Sequence, residues 1–262
     1  MSYVIICATA LLVSGLTLFS GFGLGTLLMP AFAVFFPIEV AVAATAVVHG
    51  TNNIFKMIMV GRHADNGLVL RFGVPAMIAA LAGAVVLSHV AGFNPLATYT
   101  IVSKTAVITP IKLVMSLLIF IFALFELLPA LQDLRFDRKF LPLGGLLSGF
   151  FGGLSGHQGA LRSAFLSKVG VTPQAFVGTN AVIGFMVDMA RIAAYSALLF
   201  SVRQISPIGP DQWPLVFSGT FAAFAGVVFG KRYLHKITMK TIQSLTGAFL
   251  LIVSLALGGG LV

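Results

Sequence analysis

The feature that most constrains this chain is a series of long apolar runs that recurs from one end to the other. Each run is close to eighteen residues or longer, about the length at which an α-helix crosses the hydrocarbon core of a bilayer. The sequence therefore predicts an all-α integral membrane protein with no stretch left for a soluble catalytic domain. The runs cover residues 3–20, 39–60, 67–91, 105–131, 140–156, 173–200, 212–230 and 241–262.

Charge and cysteine content agree with a membrane protein and exclude several other classes. Charged residues make up 9% of the chain, whereas a soluble domain carries about 25%. The net charge of +9 comes mostly from short loops between the runs, where the positive-inside bias accounts for it, so we expect no nucleic-acid partner. The single cysteine, Cys7, excludes an internal disulfide and a cysteine metal cluster. We expect no metal and no other cofactor.

Two glycine-rich breaks interrupt the apolar sequence, and each is followed by an unusually short apolar piece. The first break lies in "GFGLGTLLMPAFAVFFP" and precedes residues 26–36; the second lies in "GGLSGHQGALRS" and precedes residues 160–170. Eleven helical residues span about 16 Å, roughly half of the hydrocarbon core. Each piece is therefore predicted to be a half-helix whose glycine end lies at membrane depth, where backbone groups need protein or trapped water as partners.

The two breaks belong to an internal repeat, which appears when the sequence is shifted by 134 residues. We predict repeat 1 over residues 1–131, a charged loop over 132–139 and repeat 2 over 140–262. Paired short segments in corresponding halves indicate the binding site of a transporter. The identical pairs are Leu12 and Leu146, Gly15 and Gly149, Gly25 and Gly159, Leu27 and Leu161, Ala41 and Ala175, Thr45 and Thr179, Val48 and Val182, and Gly50 and Gly184.

Loop charges distinguish two topologies. If both short pieces dip and return, the basic residues divide six against seven between the two faces. If both count as crossings, ten crossings result and the basic residues divide ten against three, which is the asymmetry that the positive-inside rule expects. Five crossings per repeat would make the repeats inverted, with both termini outside. The ten cytoplasmic residues would be Arg62, Arg71, Arg135, Arg138, Lys139, Lys168, Lys231, Arg232, Lys236 and Lys240.

Polar residues inside the runs are the candidate binding groups, because they are costly in a bilayer and mark function by default. In the run 39–60 they fall on one helical stripe, and its candidates for substrate binding are Thr45, His49, Asn52 and Asn53. Lys56 continues this stripe, but it could equally snorkel to the cytoplasmic interface. Glu126, at the end of a later run, is expected to face the interface.

The counterpart stripe in repeat 2 adds Thr179 and Asn180 as substrate-binding candidates. It also contains Asp188 and Arg191, which are three residues apart and can pair locally. Together with His49, a natural proton carrier, they could serve proton coupling. The alternative is that Asp188 and Arg191 form a purely structural ion pair.

The breaks themselves supply the remaining candidates, which are Gly25 and Thr26 at the first break and His157, Gln158, Gly159 and Arg162 at the second. Helix amino ends carry unsatisfied N–H groups and positive dipole ends, so they favour an anion, and Arg162 strengthens that field. Glycines elsewhere, such as Gly15, Gly83 and Gly149, are interpreted as close-packing points between helices.

At these residues the chain resembles the TauE/SafE family, also called the sulfite exporter or 4-toluene sulfonate uptake permease family. The resemblance rests on the doubled order of glycine break, short apolar piece, Pro-containing turn and a helix starting "AVAATAVV" or "AFVGTNAV". It implies a multi-pass transporter of a bacterial or archaeal inner membrane that carries sulfite, sulfoacetate or related anions with the proton gradient. "GHQG" stands where the family usually has "GGG", which puts the usual substrate in question.

Two other functions remain open from the sequence. One is a passive anion channel, and the other is a membrane-embedded enzyme or redox-complex subunit that uses Ser155 and His157. No enzymatic activity is expected, because Ser–x–His is not a diagnostic spacing. The expected partners are a small anion and the lipid bilayer, with the protein acting as a monomer or homodimer.

Overall fold

The computed structural model describes residues 1–20, 23–101, 104–132, 136–166, 169–203, 208–233 and 239–261. Gly21 and Phe22 of the first break, and part of the predicted inter-repeat loop, lie outside these residues. The first half contains α1 (Ser2–Ser20), α2 (Leu24–Ala33), α3 (Ile38–Val60), α4 (Asn66–Leu68), α5 (Val74–Val90), β1 (Ala97–Ile101), β2 (Lys104–Ile108), α6 (Pro110–Leu127) and α7 (Pro129–Gln132).

The second half contains five helices, and four short helical turns complete the described structure. The helices are α8 (Leu141–Ser155), α9 (Gly159–Leu166), α10 (Pro173–Arg203), α11 (Trp213–Tyr233) and α12 (Met239–Gly258). The turns are the π-helical Val69–Gly73, which joins α4 to α5, and the 3₁₀ turns Gly61–His63, Arg138–Phe140 and Pro210–Gln212.

Among the described residues, four helical segments are long and apolar enough to cross a membrane by length and composition. They are Asn66–Val90, Pro110–Leu127, Pro173–Leu198 and Pro210–Gly230. Shorter apolar helices cover Ser2–Thr17, Leu24–Ala33 and Gln243–Gly258, and the 23-residue α3 carries the polar stripe. The chain is therefore a helical, multi-pass membrane protein.

A β-hairpin before α6 is the one departure from an all-helical chain among the described elements. The sequence predicted a helix over residues 105–131, but Lys104–Ile108 pairs antiparallel with Ala97–Ile101. The segment is rich in β-branched residues, which favour strands. The helix begins at Pro110, a residue that suits the first helical position, and the Thr109 hydroxyl caps it by accepting the Lys112 N–H.

The first three helices show how α2 runs. The Ser14 hydroxyl donates to Asn52 and the Lys56 ammonium donates to Thr17, so residue numbers rise together along α1 and α3 and these helices are parallel. A Cβ built on Gly25 would lie 3.8 Å from Cδ2 of His49, in the middle of α3. Helix α2 thus starts at the middle of the bundle and returns to the end where α1 began.

Helices α8, α9 and α10 follow the same course. The Ser148 hydroxyl of α8 donates to the Gln158 carbonyl, whereas the Phe165 ring lies against Gly144, so α9 is antiparallel to α8. On its other side, Arg162 donates to Asn180. Gln158, one turn earlier on α9, reaches a later residue of α10, so α9 is antiparallel to α10 as well.

Helices α3 and α10, which would correspond in the predicted repeat, cross each other in opposite directions. A Cβ on Gly50 would lie 3.2 Å from Cβ of Asp188, and a Cβ on Gly178 would lie 2.7 Å from the Val60 carbonyl oxygen. The amino ends of α2 and α9 therefore approach one another, and a Cβ on Gly25 would lie 2.9 Å from the Gly156 carbonyl oxygen. The two glycine breaks meet inside the bundle.

Glycines allow two further helix pairs, α5 with α8 and α1 with α11, to pack at backbone contact. A Cβ built on Gly83 would lie 2.1 Å from the Phe150 carbonyl oxygen. A Cβ built on Gly149 would lie 2.0 Å from the Ala76 carbonyl oxygen. A Cβ on Gly230 would lie 2.5 Å from Cα of Gly15. These distances agree with the interpretation of Gly15, Gly83 and Gly149 as packing points.

Gly149→Ala should lower the free energy of unfolding by about 1–3 kcal/mol or more, because the new methyl group must push α8 away from α5. The measurement is thermal unfolding of the purified protein in detergent. Gly61→Ala is the matched control, since a Cβ there would lie 3.4 Å from Cβ of Met57, an ordinary contact. Equal melting temperatures for the two variants would contradict the prediction.

Candidate functional site

Two glycines in the left-handed backbone region shape the breaks. Gly23 has φ 122° and Gly156 has φ 82°, values that glycine adopts at little cost and other residues avoid. The Gly156 N–H donates to the Gly152 carbonyl and closes the end of α8. Only His157 and Gln158 then separate this turn from α9, so the second break is a tight reversal at the middle of the bundle.

Asp188 is the centre of a buried polar cluster beside the breaks. Its Oδ1 accepts from Nε and Nη2 of Arg191, at 3.0 and 2.7 Å, and from Nε2 of Gln158 at 3.1 Å. Its Oδ2 accepts from Nδ1 of His49 at 2.6 Å and from Nδ2 of Asn53 at 3.1 Å. The carboxylate thus joins α3, α10 and the second break, and its side chain and that of Arg191 are both fully buried.

The contact with Asp188 determines which nitrogen of His49 carries a proton. A carboxylate only accepts hydrogen bonds, so Nδ1 of His49 must donate to it. Asn53 lies 3.2 Å from the same nitrogen, but its amide donates to Asp188 because Nδ1 has no lone pair to offer. Nε2 of His49 is then an acceptor when the ring is neutral and a donor when the ring is protonated.

A chain of hydrogen bonds continues from Asp188 to Arg162. Oε1 of Gln158 accepts from Nη1 of Arg162 at 3.0 Å, while Nε of Arg162 donates to Oδ1 of Asn180 at 2.6 Å. The Asn180 amide nitrogen donates to the Phe176 carbonyl at 2.9 Å. These bonds fix the side chain of Arg162, which is 2% exposed.

A small cavity lies beside this chain of hydrogen bonds. Its volume is about 10 Å³, which is room for about one water molecule. None of the nine described residues that line it is acidic, whereas it contains one lysine and one arginine. Asp188 is hydrogen-bonded to His49 but does not line the cavity. The lining residues are Thr17, Leu24, His49, Asn53, Lys56, Arg162, Val177, Asn180 and Ala181.

The electrostatics of this cavity favour a negative ligand. Lys56 is 7% exposed, and its ammonium group donates to the Thr17 hydroxyl at 3.2 Å. Helix α2 begins at Leu24, so its first N–H groups and the positive end of its dipole lie at the cavity. Two buried cations and a helix amino end surround a space without a carboxylate in the described lining.

The structure brings part of the predicted set together. His49, Asn53, Arg162 and Asn180 line the cavity. Asp188, Arg191 and Gln158 form the cluster behind it, Gly25 lies at the contact between the breaks, and Thr26 and Gly159 are buried in the first turns of α2 and α9.

Four predicted substrate-binding residues point elsewhere. The Thr45 hydroxyl donates to the Ala41 carbonyl of its own helix at 2.7 Å. Oδ1 of Asn52 accepts from the Ser14 hydroxyl, and the Thr179 hydroxyl accepts from the Asp65 N–H at 2.9 Å. The His157 ring stacks on Phe122 with 5.2 Å between centroids.

Two further residues line the cavity: Lys56, which the sequence left open between the polar stripe and the interface, and Thr17, which the sequence did not select. Lys56 is buried and donates to Thr17, so of its two alternatives the stripe is correct and snorkelling is not. Thr17 gave no comparable signal, because its role depends on the contact between α1 and α3.

Glu126 was expected at the interface, but it is 2% exposed, so that expectation was wrong. Helix α12 covers it: a Cβ built on Gly247 would lie only 3.1 Å from Cβ of Glu126.

The contacts of Ser155 and His157 do not form a nucleophile–base pair. The Ser155 hydroxyl donates to the Phe151 carbonyl at 3.0 Å. Nδ1 of His157 lies 3.2 Å from that hydroxyl, but it donates to the Ser155 carbonyl at 3.0 Å and so has no lone pair for the serine proton. Among the described residues, no group of three His, Cys, Asp or Glu side chains could hold a metal ion.

Comparison with protein families finds a match to a family described as Sulfite exporter TauE/SafE, over residues 6–257. Comparison with curated proteins finds no match, and comparison with solved structures finds none either. The family match includes both glycine breaks and every residue of the cavity and the Asp188 cluster.

Proposed function

The chain belongs to the TauE/SafE sulfite exporter family, and we propose that it is a secondary transporter that binds small anions at the cavity between the two breaks. Sulfite, organosulfonates and related sulfur oxyanions are the proposed substrates. The observation that carries the proposal is the presence of Lys56 and Arg162 in a buried cavity whose described lining contains no carboxylate.

The donors around the cavity suit an oxyanion. The Arg162 guanidinium and the Lys56 side chain supply basic groups, and Asn53 and Asn180 add amide groups. The low dielectric of the interior strengthens the attraction between these basic groups and an anion, so a bound anion would stabilise this wall. A sulfur oxyanion is larger than one water, so we propose that the walls move apart when it binds and that the structure represents a contracted state of the site.

We further propose that the protein consists of two inverted repeats with ten crossings, with both termini outside and the basic face in the cytoplasm. The antiparallel course of α3 and α10 and the return of α2 and α9 from the middle of the bundle support this arrangement. Arg135, Lys168 and Lys236, on which the charge asymmetry partly depends, lie outside the described residues. A reporter fused to either terminus that reads cytoplasmic would contradict it.

Proton coupling would act through His49 and Asp188. The imidazole exchanges protons near neutral pH, and His49 both lines the cavity and donates to Asp188. A proton taken up by the ring would add positive charge to the wall and turn Nε2 into a donor for the anion. Asp188 and Arg191 would either share in this coupling or act only as a structural ion pair.

The test is uptake of radiolabelled sulfite by the purified protein in liposomes, with and without an imposed pH gradient. We expect accumulation against the sulfite gradient when the pH gradient is present. Thiosulfate, sulfoacetate, taurine, sulfate and small carboxylates, added as competitors, would define the substrate class.

The alternatives predict different results in the same experiment. A passive channel would equilibrate sulfite without accumulating it, whatever the pH gradient. An enzyme would convert a labelled substrate in detergent, where no gradient exists. Failure to take up or bind any of these anions would overturn the proposed function.

A further inference from the structure

Gln158 connects the two charged parts of the site without lining the cavity. Its residue is 1% exposed, its Nε2 donates to Oδ1 of Asp188 at 3.1 Å, and its Oε1 accepts from Nη1 of Arg162 at 3.0 Å. One amide therefore spans the distance between the carboxylate of the cluster and the guanidinium at the cavity wall.

Two hydrogen bonds hold the backbone carbonyl of Gln158, so the side-chain amide has little freedom to move away. The Ser148 hydroxyl donates to this backbone carbonyl at 2.8 Å, and the Arg162 N–H donates to the same carbonyl at 3.1 Å. A Cβ on Gly152 would lie only 2.9 Å from Cβ of Gln158, so α8 closes one side of the residue. Rotation of the amide is the movement that remains.

We propose that Gln158 is a positioning residue that makes anion binding at Arg162 depend on the protonation of the His49–Asp188 pair. This inference rests on the proposed function. An amide has one donor end and one acceptor end, and the two ends are not interchangeable here. An ionised Asp188 requires the NH₂ end, which turns the carbonyl end toward Arg162 and orients the guanidinium.

A protonated Asp188 would no longer require the donor end of Gln158. The amide could then rotate, and its NH₂ end would face Arg162, which has only donors. Arg162 would lose one of the two bonds that orient it at the cavity wall and keep only the bond to Asn180, so the proton state of the cluster would be transmitted to the anion. Charged or titratable groups face this link from the helices packed against it. They are Arg191 and Tyr195 on α10, His49 and Lys56 on α3, Arg162 on α9 and the neighbouring His157.

Gln158→Glu tests this link because a protonated carboxyl group reproduces both functions of the amide. Its O–H can donate to Asp188 while its C=O accepts from Arg162; the ionised form can only accept, and it adds a negative charge beside Asp188. The variant should therefore bind anions as the wild type does at low pH and lose binding as pH rises. Because the added charge alone would also weaken anion binding, the uncharged variant Gln158→Met distinguishes the link from a packing role.

The measurement is calorimetric binding of methanesulfonate and sulfate, whose charges stay constant, to the purified protein in detergent at about pH 5 and about pH 8. Relative to wild type at the same pH, Gln158→Glu should bind at least about tenfold more weakly at the higher pH and within a few-fold at the lower pH. Gln174→Glu, at an exposed position of α10, is the matched control and should follow the wild type at both pH values.

The outcomes separate this proposal from the proposed function. If the wild type binds and transports no anion, the proposed function fails. If the wild type binds but Gln158→Glu shows the same relative affinity at both pH values, the link through Gln158 is overturned.

A second variant covers the case in which Gln158→Glu does not fold. Gln158→Met removes both hydrogen bonds without adding charge, and it should weaken binding about tenfold and flatten the dependence of transport on pH. Unchanged affinity and an unchanged pH profile in folded Gln158→Met would contradict the proposal.

Discussion

Asp188→Asn is expected to abolish coupled transport and to lower the free energy of unfolding by about 3–5 kcal/mol, the cost of breaking one buried ion pair. The carboxylate is the countercharge of the buried Arg191, to which it is joined by hydrogen bonds of 2.7 and 3.0 Å. An amide at this position would leave the guanidinium buried without a negative partner. Its single oxygen could accept hydrogen bonds on one side only, and its NH₂ group would face donors on the other side. Thermal unfolding in detergent and sulfite uptake in liposomes measure the two effects.

The double variant Asp188→Asn with Arg191→Gln separates a structural role from a coupling role. Removing both charges leaves neither one uncompensated, so most of the lost stability should return. Transport should stay absent if the pair takes part in coupling, whereas recovery of coupled transport would assign it a structural role only. Asp137→Asn is a matched control, because Asp137 pairs with Lys139 at 3.5 Å on the exposed surface and should contribute little stability.

Helical periodicity explains why part of the cavity could be predicted from the sequence. His49, Asn53 and Lys56 recur at the spacing of one helical face, so any partner that meets this face of α3 meets all three. The glycines were equally informative, because a break in an apolar run has few physical explanations. Such local rules are sufficient to identify the wall formed by one helix.

Contacts between distant parts of the chain could not be predicted in this way. The pairing of His49 with Asp188 depends on where α3 crosses α10, and no local pattern contains that crossing. Hydroxyl groups were misleading for a related reason. Thr45 and Thr179 fit the stripes by spacing, yet one bonds to its own helix and the other to the Asp65 N–H, because a hydroxyl readily satisfies itself on nearby backbone.

The hairpin and Glu126 show the same limit for the fold. A short apolar segment rich in β-branched residues is compatible with a strand or with a helix, and only the neighbouring structure decides between them. Here the hairpin lies against the end of α12, where the Val107 N–H donates to the Gly260 carbonyl. Glu126 is near the end of a hydrophobic run, which suggested an interface position, but the packing of α12 against α6 encloses it.

Arg162→Gln is expected to reduce anion affinity by about a hundredfold or more, the scale of losing one partner of a buried charged contact. The side chain lies at the cavity wall, oriented by Gln158 and Asn180 at 3.0 and 2.6 Å. Glutamine keeps a polar end on a shorter side chain and removes the charge. Because the low dielectric of the interior strengthens the interaction of this charge with an anion, its loss should exceed the effect of losing one neutral hydrogen bond. Lys56→Met should act in the same direction.

The measurement is the shift in melting temperature that saturating sulfite produces, which depends on ligand concentration relative to the dissociation constant. Wild-type protein should be stabilised, and Arg162→Gln should melt at the same temperature with and without sulfite. Arg62→Gln carries the same substitution at an exposed position and should keep the full shift. The folded variants Arg162→Gln and Lys56→Met could both retain the sulfite-induced shift in melting temperature. The anion would then bind somewhere other than this cavity, because the remaining amides of the lining cannot replace two basic groups.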